Sequence, residues 1–557
     1  MEMGMVAAES IGVGEDITPP LSPISYSLHQ SFLPSHCASC FSPLHHHHHH
    51  LPNPNPNPPP QSTAPLSCSS SSSHISSAAA ALQTSDLRVA LILLLQIHRK
   101  RLRFTSYHRI CGLLSNRHKL LLTSTNDHDE NDDLPTRIRN GARALAAAIK
   151  NDDSQGEFSL EEAVLCAVLT NAVEVQDRFG RSVGIAVYDT SFSWINHSCS
   201  PNACYRFLPP ETQTGLHQRR LLITPPPSTS NSSDLLTGGG STGGPRLVVR
   251  SIKRIKKGEQ VTIAYTDLLQ PKELRQSELR SKYRFTCCCH RCVALPLTYV
   301  DQRLQKICGS NETLAECIDD AIHDYLSSDS QDDAESCCKK LEDALLNHES
   351  RLHPQNHLSL NAYTTLASAY SSASAIEDEN GLKMKRFSAA YSLLLALLTH
   401  DLFLHESSLI ASVSNFWVGA GESLINLGKC LVSSSSRKCY TRCGCDLIDI
   451  FEANYKVVET SKEKLLNCIR GITGKMWKFL VVGNGYLQAV KDPMDLRWFE
   501  DLNLKTVAEW CACDCVEGQE IFGLGAHCLL YGGILSNISG GRDSHLSCYV
   551  RHLLCEL

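Results

Sequence analysis

What this sequence lacks narrows its function first. It has no basic excess: 52 Lys and Arg stand against 58 Asp and Glu, a formal net charge of −6, whereas a general nucleic-acid binder is usually strongly basic. It has no apolar run that spans a bilayer, since runs such as Val89 to Leu95 fall well short of the ~20 residues required, and no membrane role is expected. Residues 1–35 hold no basic segment followed by an apolar one, so no secretory signal is expected either. The 26 cysteines therefore read as reduced, buried or zinc-bound thiols of a nuclear or cytoplasmic protein rather than as a disulfide framework. A chain of 557 residues, 42% hydrophobic, is too long for one core and predicts two or three soluble domains.

The pattern changes along the chain. Met5 to Thr18 reads as strand, turn at Gly12-Val13-Gly14, and a second strand from Glu15. Leu247 to Ile263 repeats this strand–Gly–Glu–strand order. Residues 42–80 are low complexity, with six histidines (His45 to His50), Pro-Asn repeats, serines and alanines, and are predicted to stay disordered. From Asp86 to about Val175 the spacing predicts helices, with Val89, Ile92, Leu93 and Ile97 on one face and Leu160, Val164, Cys166 and Leu169 on another. Asp- and Asn-rich residues 125–133 form a loop, and 209–245, with Pro-Pro-Pro and GGGSTGG, a flexible excursion. After Cys292 only helical stripes follow: Leu358, Ala362, Leu366 and Ala369; Phe387, Tyr391, Leu394 and Leu398; Phe416, Ala420, Leu424 and Leu427. Helix pairs in a tetratricopeptide-like array fit this region, although no strict 34-residue repeat is present.

Three motifs carry chemistry. Ser193 to Phe207 reads SWINHSCSPNACYRF, Gly258 to Asp267 reads GEQVTIAYTD, and Tyr283 to Cys292 reads YRFTCCCHRC. Cys287, Cys289 and Cys292 form CxCx2C, three thiolates from one tight turn, and tetrahedral zinc requires a fourth ligand from elsewhere. Cys288 is an extra thiol that leaves the ligand register open. Cys439, Cys443 and Cys445, and Cys511, Cys513 and Cys515, lack four suitably spaced ligands and read as packing thiols. Arg99, Lys100, Arg101 and Arg103 read as a charged helix end or a nuclear-localisation cluster, and Arg246 to Lys257 as a solvated strand and turn.

Together and in this order the motifs resemble SET-domain lysine methyltransferases, the SMYD-type (SET interrupted by a MYND finger) and plant SET-domain-group proteins in particular. The resemblance implies an α+β fold. Its parts are N-terminal SET strands (1–35), a degenerate MYND and low-complexity insertion (36–85), a helical insert (86–175), a β-rich SET core (176–270), a post-SET zinc segment (271–295) and an all-α domain (296–557). It implies S-adenosylmethionine as methyl donor and a lysine-bearing protein, such as a histone, as substrate; from the net charge, no direct nucleic-acid binding is expected. Cys199 would complete the zinc site and pin the C-terminal flap to the active-site loop. Tyr265 would be the catalytic tyrosine. Gly4, Asn171, Asn196, His197, Tyr283 and Phe285 would surround the cofactor. Two departures from the family stand out. Only Gly4 of an opening GxG is present, with Glu2 in the place of the first glycine, and the MYND finger is reduced to Cys37, Cys40, Cys68 and His74. An alternative is a SET fold without turnover, a scaffold that binds protein partners through its helices.

Overall fold

The computed structural model describes residues 4–39, 41, 43–44, 82–102, 104–121, 134–150, 158–177, 181–208, 220–224, 243–308, 313–327, 331–346, 351–374, 379–431, 451, 455–496 and 518–557. The histidine run, Cys40, Cys68, His74 and the cysteines at 439–445 and 511–515 lie outside these residues. Two units emerge. The first comprises 1–266 and 276–287, the second 267–275 and 288–557.

In the first unit short strands are paired into small sheets. These are β1 (Gly4–Ala7), β2 (Ser25–Leu28), β3 (Phe104–Ser106), β4 (Arg109–Ile110), β5 (Leu113–Leu114), β6 (Val173–Gln176), β7 (Ser182–Val187), β8 (Asn196–His197), β9 (Ala203–Phe207), β10 (Leu221–Thr224), β11 (Leu247–Ser251) and β12 (Thr262–Ile263). β1 pairs with β10, β9 with β11, and β7 lies between β2 and β6, all antiparallel. β8 and β12 run parallel, with Asn196 opposite Thr262 and His197 opposite Ile263. The similarity of 5–18 to 247–263 has a spatial counterpart. Ile11 bridges Ile255, Asp16 bridges Arg250 and Leu21 bridges Leu247. The left-handed Gly14 (φ 75°) and Gly258 (φ 80°) turn each segment. The strand expected from Glu15 exists only as these isolated bridges, because Pro19 and Pro20 follow it and proline supplies no ladder donor.

The three longest described helices of this unit are α1 (Ser85–His98), α2 (Leu134–Lys150) and α3 (Ser159–Asn171). They bury Val89, Leu93, Leu94, Ile138, Leu145 and Val164 in one core cluster, while Met5, Ile17, Val183, Ile195, Val249 and Ile263 form another beneath the strands. The reading of 86–175 as a helical segment with one loop is corrected by the β3–β4–β5 sheet. Cys111 (φ 53°) and Gly112 (φ 84°) make its second turn, a backbone shape that ends any helix.

The second unit is built of helices, with one two-residue strand pair at 307–308 and 351–352 among its described residues. Its long members are α4 (Thr313–Ser327), α5 (Gln331–Leu345), α6 (His357–Ala373), α7 (Glu379–His405), α8 (Ile410–Leu431), α9 (Tyr455–Val481), α10 (Gly518–Ser539) and α11 (His545–Cys555). Successive helices pack on each other from α4 to α8, and α8 then packs most extensively on α10. Glycines explain that pairing. A Cβ on Gly421 would lie 2.6 Å from the Leu529 nitrogen, and one on Gly532 2.7 Å from the Val418 nitrogen, so the two backbones touch where side chains normally stand. α7 and α10 are long and apolar enough to cross a membrane by composition, but 78% and 94% of those stretches are buried inside the protein. They are core helices.

Candidate active site and metal centre

The site grows from the chain between Asp189 and Asn202. Asp189 caps a helical turn at Thr190–Ser193, its carboxylate accepting from the Ser191 N–H at 2.9 Å. The buried Trp194 and Ile195 then anchor the chain as it enters β8. A two-residue parallel pairing is weak by itself, and side chains reinforce it. The Asn202 amide donates to the Gln260 carbonyl at 2.9 Å while its oxygen accepts from the Thr262 N–H at 2.9 Å. The Ser198 N–H donates to the Ile263 carbonyl at 3.0 Å. Asn202 thus staples the NHSCSPN loop to the strand that carries Tyr265.

Tyr265 is fixed at both ends. Its backbone N–H donates to His197 Nδ1 at 3.0 Å, and its hydroxyl donates to the Ile195 carbonyl at 2.5 Å. Because Nδ1 accepts, the neutral His197 ring carries its proton on Nε2, which lies 3.2 Å from Cys199 Sγ and donates to the sulfur. Aromatic rings close around this pair. Tyr283 lies 4.8 Å from Tyr265 between centroids, His197 5.3 Å from Tyr265, and Phe285 6.1 Å from His197. A π-helical turn at Leu279–Tyr283 and a left-handed Arg284 (φ 57°) re-aim the chain so that both rings of the Tyr-Arg-Phe triplet belong to this cluster. Burial raises the Tyr265 and Tyr283 hydroxyls well above the usual tyrosine range, and neighbouring charges add to the effect. Both stay phenols that can donate.

Gly4 on β1 abuts the same place: a Cβ there would come within 2.7 Å of the Asn196 amide nitrogen and displace it. Gly4, Asn196, His197, Tyr265, Tyr283 and Phe285 are therefore gathered in one neighbourhood. Asn171 is held otherwise. It ends α3, and its amide donates to the Leu114 carbonyl at 2.8 Å and the Ala167 carbonyl at 2.7 Å, tying the helix to β5.

The Sγ atoms of Cys199, Cys287, Cys289 and Cys292 all lie within 4.8 Å of one another, three of the residues buried and Cys289 half-buried. Cys288 is exposed and outside this group, which closes the register left open by the sequence. Four convergent thiols suit tetrahedral zinc, whose Zn–S bonds of ~2.3 Å place sulfurs roughly 4 Å apart. Two supports were not legible in the motifs. Gln276 clamps Cys287 through both backbone groups, donating to its carbonyl at 2.9 Å and accepting from its N–H at 3.0 Å. Arg291, inside the cysteine segment, is buried with Arg275 against Asp301, at 2.9 and 2.7 Å. Burial would raise the Asp301 carboxyl, but the bonds and charges of the two arginines outweigh it and hold it below the ordinary carboxylate range. No motif connects Gln276 or Asp301 to the cysteines, whereas Asn202 stood inside NHSCSPN.

Comparison with known proteins agrees with this geometry. The SET domain matches residues 2–266. Protein SET DOMAIN GROUP 41 of Arabidopsis thaliana is 37% identical over 98% of this chain and 99% of its own length. The human histone-lysine N-methyltransferase SMYD3 is 30% identical over 24% of this chain and 23% of its own. The human N-lysine methyltransferase SMYD2 is 38% identical over 13% of this chain and 17% of its own. With its strands, NHSCSPN loop, Tyr265 and cysteine cluster in the family's sequence order, and a relative matched nearly end to end, the chain belongs to the SET-domain family, alongside the plant SET domain group proteins.

Proposed function

We propose that this protein is an S-adenosylmethionine-dependent protein-lysine N-methyltransferase. The observation that carries the reading is the Tyr265 phenol, protonated and held between Ile195 and His197 inside a cluster of aromatic rings. When bound, S-adenosylmethionine supplies an electrophilic methyl on a sulfonium sulfur. The residues suited to hold it are Gly4, Asn196 and His197, with Phe285 as a flat apolar face; Asn171, whose amide N–H groups are taken by the Leu114 and Ala167 carbonyls, would offer its side-chain oxygen. The missing side chain at Gly4 fits such a ligand, because it leaves the Asn196 amide undisplaced. Tyr265 and Tyr283 exclude water around the incoming amine, which favours the neutral, nucleophilic form of a lysine whose unperturbed pKa is ~10.4. Tyr265 then orients that amine by hydrogen bonding.

Zinc suits the cysteine cluster as a structural ion: its two positive charges would offset half of the charge of four thiolates, and it would fix the post-SET segment that carries Tyr283 and Phe285. A lysine-bearing protein, histone or non-histone, is the substrate class, and a nuclear or cytoplasmic place of action goes with it. A basic substrate is further supported by a groove of about 590 Å³ in the helical unit, where Asp267, Glu316 and Asp319 border Leu269, Leu360 and Phe416. The succession of packed helices from α4 to α8 supports a tetratricopeptide-like array that could also receive a protein partner. The relatives do not favour the scaffold without turnover.

Incubation with labelled S-adenosylmethionine and an array of lysine peptides tests the reading. Methyl should appear on the lysine nitrogen, with calorimetry showing about one cofactor and metal analysis about one zinc per chain. Absence of cofactor binding in zinc-loaded protein would overturn it.

A further inference from the structure

We propose that the β3–β4–β5 sheet and the adjoining end of α1 form a second binding surface, for single-stranded nucleic acid. The net charge of −6 conceals a strong local imbalance. Between Asp86 and Asp127 there is no acidic residue, while residues 87–126 hold eight Arg and Lys and three His. Some of these cations are engaged within the fold: Arg88 is buried and donates to the Leu82 and Leu28 carbonyls, both at 2.7 Å, Arg117 pairs with Glu162 at 2.5 Å, and Arg109 lies over the Trp194 ring at 5.1 Å. Arg99, Lys100 and Arg101, at the end of α1, and Lys119 are exposed.

Beside them stand two exposed rings. Phe104 (41% exposed) and Tyr107 (46%) are the two aromatic members of the exposed large hydrophobic residues among those described, and their centroids are 5.4 Å apart. The surface is continuous. Ser115 bonds to the Tyr107 carbonyl at 2.7 Å and the His108 carbonyl at 3.0 Å, which brings the exposed Leu114 alongside, and the His108 and His118 rings lie 5.7 Å apart. Ile110 and Leu113 meanwhile turn into the core. The sheet is thus anchored on one side and presents rings and cations on the other.

Cations alone would suit an acidic peptide equally. The rings decide between the two: bases have flat faces that stack on exposed aromatics, with phosphates in reach of Arg and Lys, whereas an acidic peptide would leave Phe104 and Tyr107 in water. A duplex hides its base faces, so a single strand is the ligand class.

Fluorescence anisotropy of the full chain with a labelled oligoadenylate RNA of about 12 nucleotides tests the proposal. Saturable binding is expected, weakened about tenfold by F104A/Y107A. Replacing Arg99, Lys100 and Arg101 by Gln should flatten the fall in affinity between about 50 and about 200 mM salt. A polyglutamate peptide should not displace the RNA, and duplex of equal length should bind more weakly. Wild-type affinity in F104A/Y107A, displacement by polyglutamate, or no saturable binding would each overturn the inference. If F104A/Y107A lowers the melting temperature, the exposed single variant K119E takes its place: it should weaken RNA binding while its melting curve is unchanged, and unchanged binding would overturn the proposal.

Discussion

The Tyr265 neighbourhood and the α8–α10 pair hold their atoms in place by opposite means. Around Tyr265 the regular structure is minimal: β8 and β12 are two residues each, and side chains bonded to backbone do the positioning, namely Asn202 to Gln260 and Thr262, and Tyr265 to Ile195. Along α8 and α10 the regular structure is extensive and the side chains are absent where it matters, Gly421 and Gly532 letting backbone meet backbone. The first arrangement localises chemistry and adds little stability. The second adds stability and exposes no chemistry. Changes to the two should therefore separate cleanly into loss of rate and loss of fold.

The largest effect is expected at Asp301 in the helical unit. Asp301→Asn leaves Arg275 and Arg291 buried at 0% and 1% exposure without their counter-charge, and removing one partner of a buried ion group costs about 3–5 kcal/mol. Denaturant unfolding should show this as a lowered midpoint. Next comes Tyr265→Phe, which should lower kcat about 100-fold or more while leaving cofactor affinity and the melting temperature nearly unchanged. A comparable loss of affinity would make Tyr265 a structural residue and break the contrast. A third, smaller effect is expected from Gly421→Ala. The new methyl meets the Leu529 backbone, which cannot step aside, at a cost of about 1–3 kcal/mol, with kcat per folded molecule retained.

The smallest effect concerns pH. His400 sits among Phe403, Trp417 and Tyr531, both ring nitrogens without a hydrogen-bond partner, and burial, aided by the Arg470 charge, lowers its pKa to about 4. Below the ordinary value of ~6.5 the unfolded chain binds a proton that the folded one refuses, so stability falls as pH drops from ~6.5 toward about 4 and then levels off. One such group gives a slope of at most about 1.4 kcal/mol per pH unit; buried His353, its pKa lowered to about 3, adds its own, so His400→Leu should reduce the slope in melts recorded across that range.

Much of the site was legible because its chemistry is local in sequence. NHSCSPN, the strand to Tyr265 and CxCx2C name directly the groups proposed to react and to hold zinc. The helical stripes were legible too: Leu366, Tyr391, Leu394 and Leu424 are buried as their spacing predicts. The β3–β4–β5 sheet was missed because its strands are two or three residues long, too short for alternation to register. Gln276, Asp301 and the α8–α10 pairing were missed because their partners lie 10 to more than 90 residues away with no periodic signal between.

The sequence by itself determined the family this protein belongs to: residue types at fixed spacing mark the NHSCSPN loop, the strand of Tyr265 and the cysteine cluster, since each depends on functional groups that only a few side chains possess. Tertiary structure alone decided that Cys288 stays outside the group of Cys199, Cys287, Cys289 and Cys292. It also decided which nitrogen of His197 carries the proton. Those outcomes depend on distances set by long-range packing, and a carbonyl or amide that completes a site can come from any residue the fold brings near.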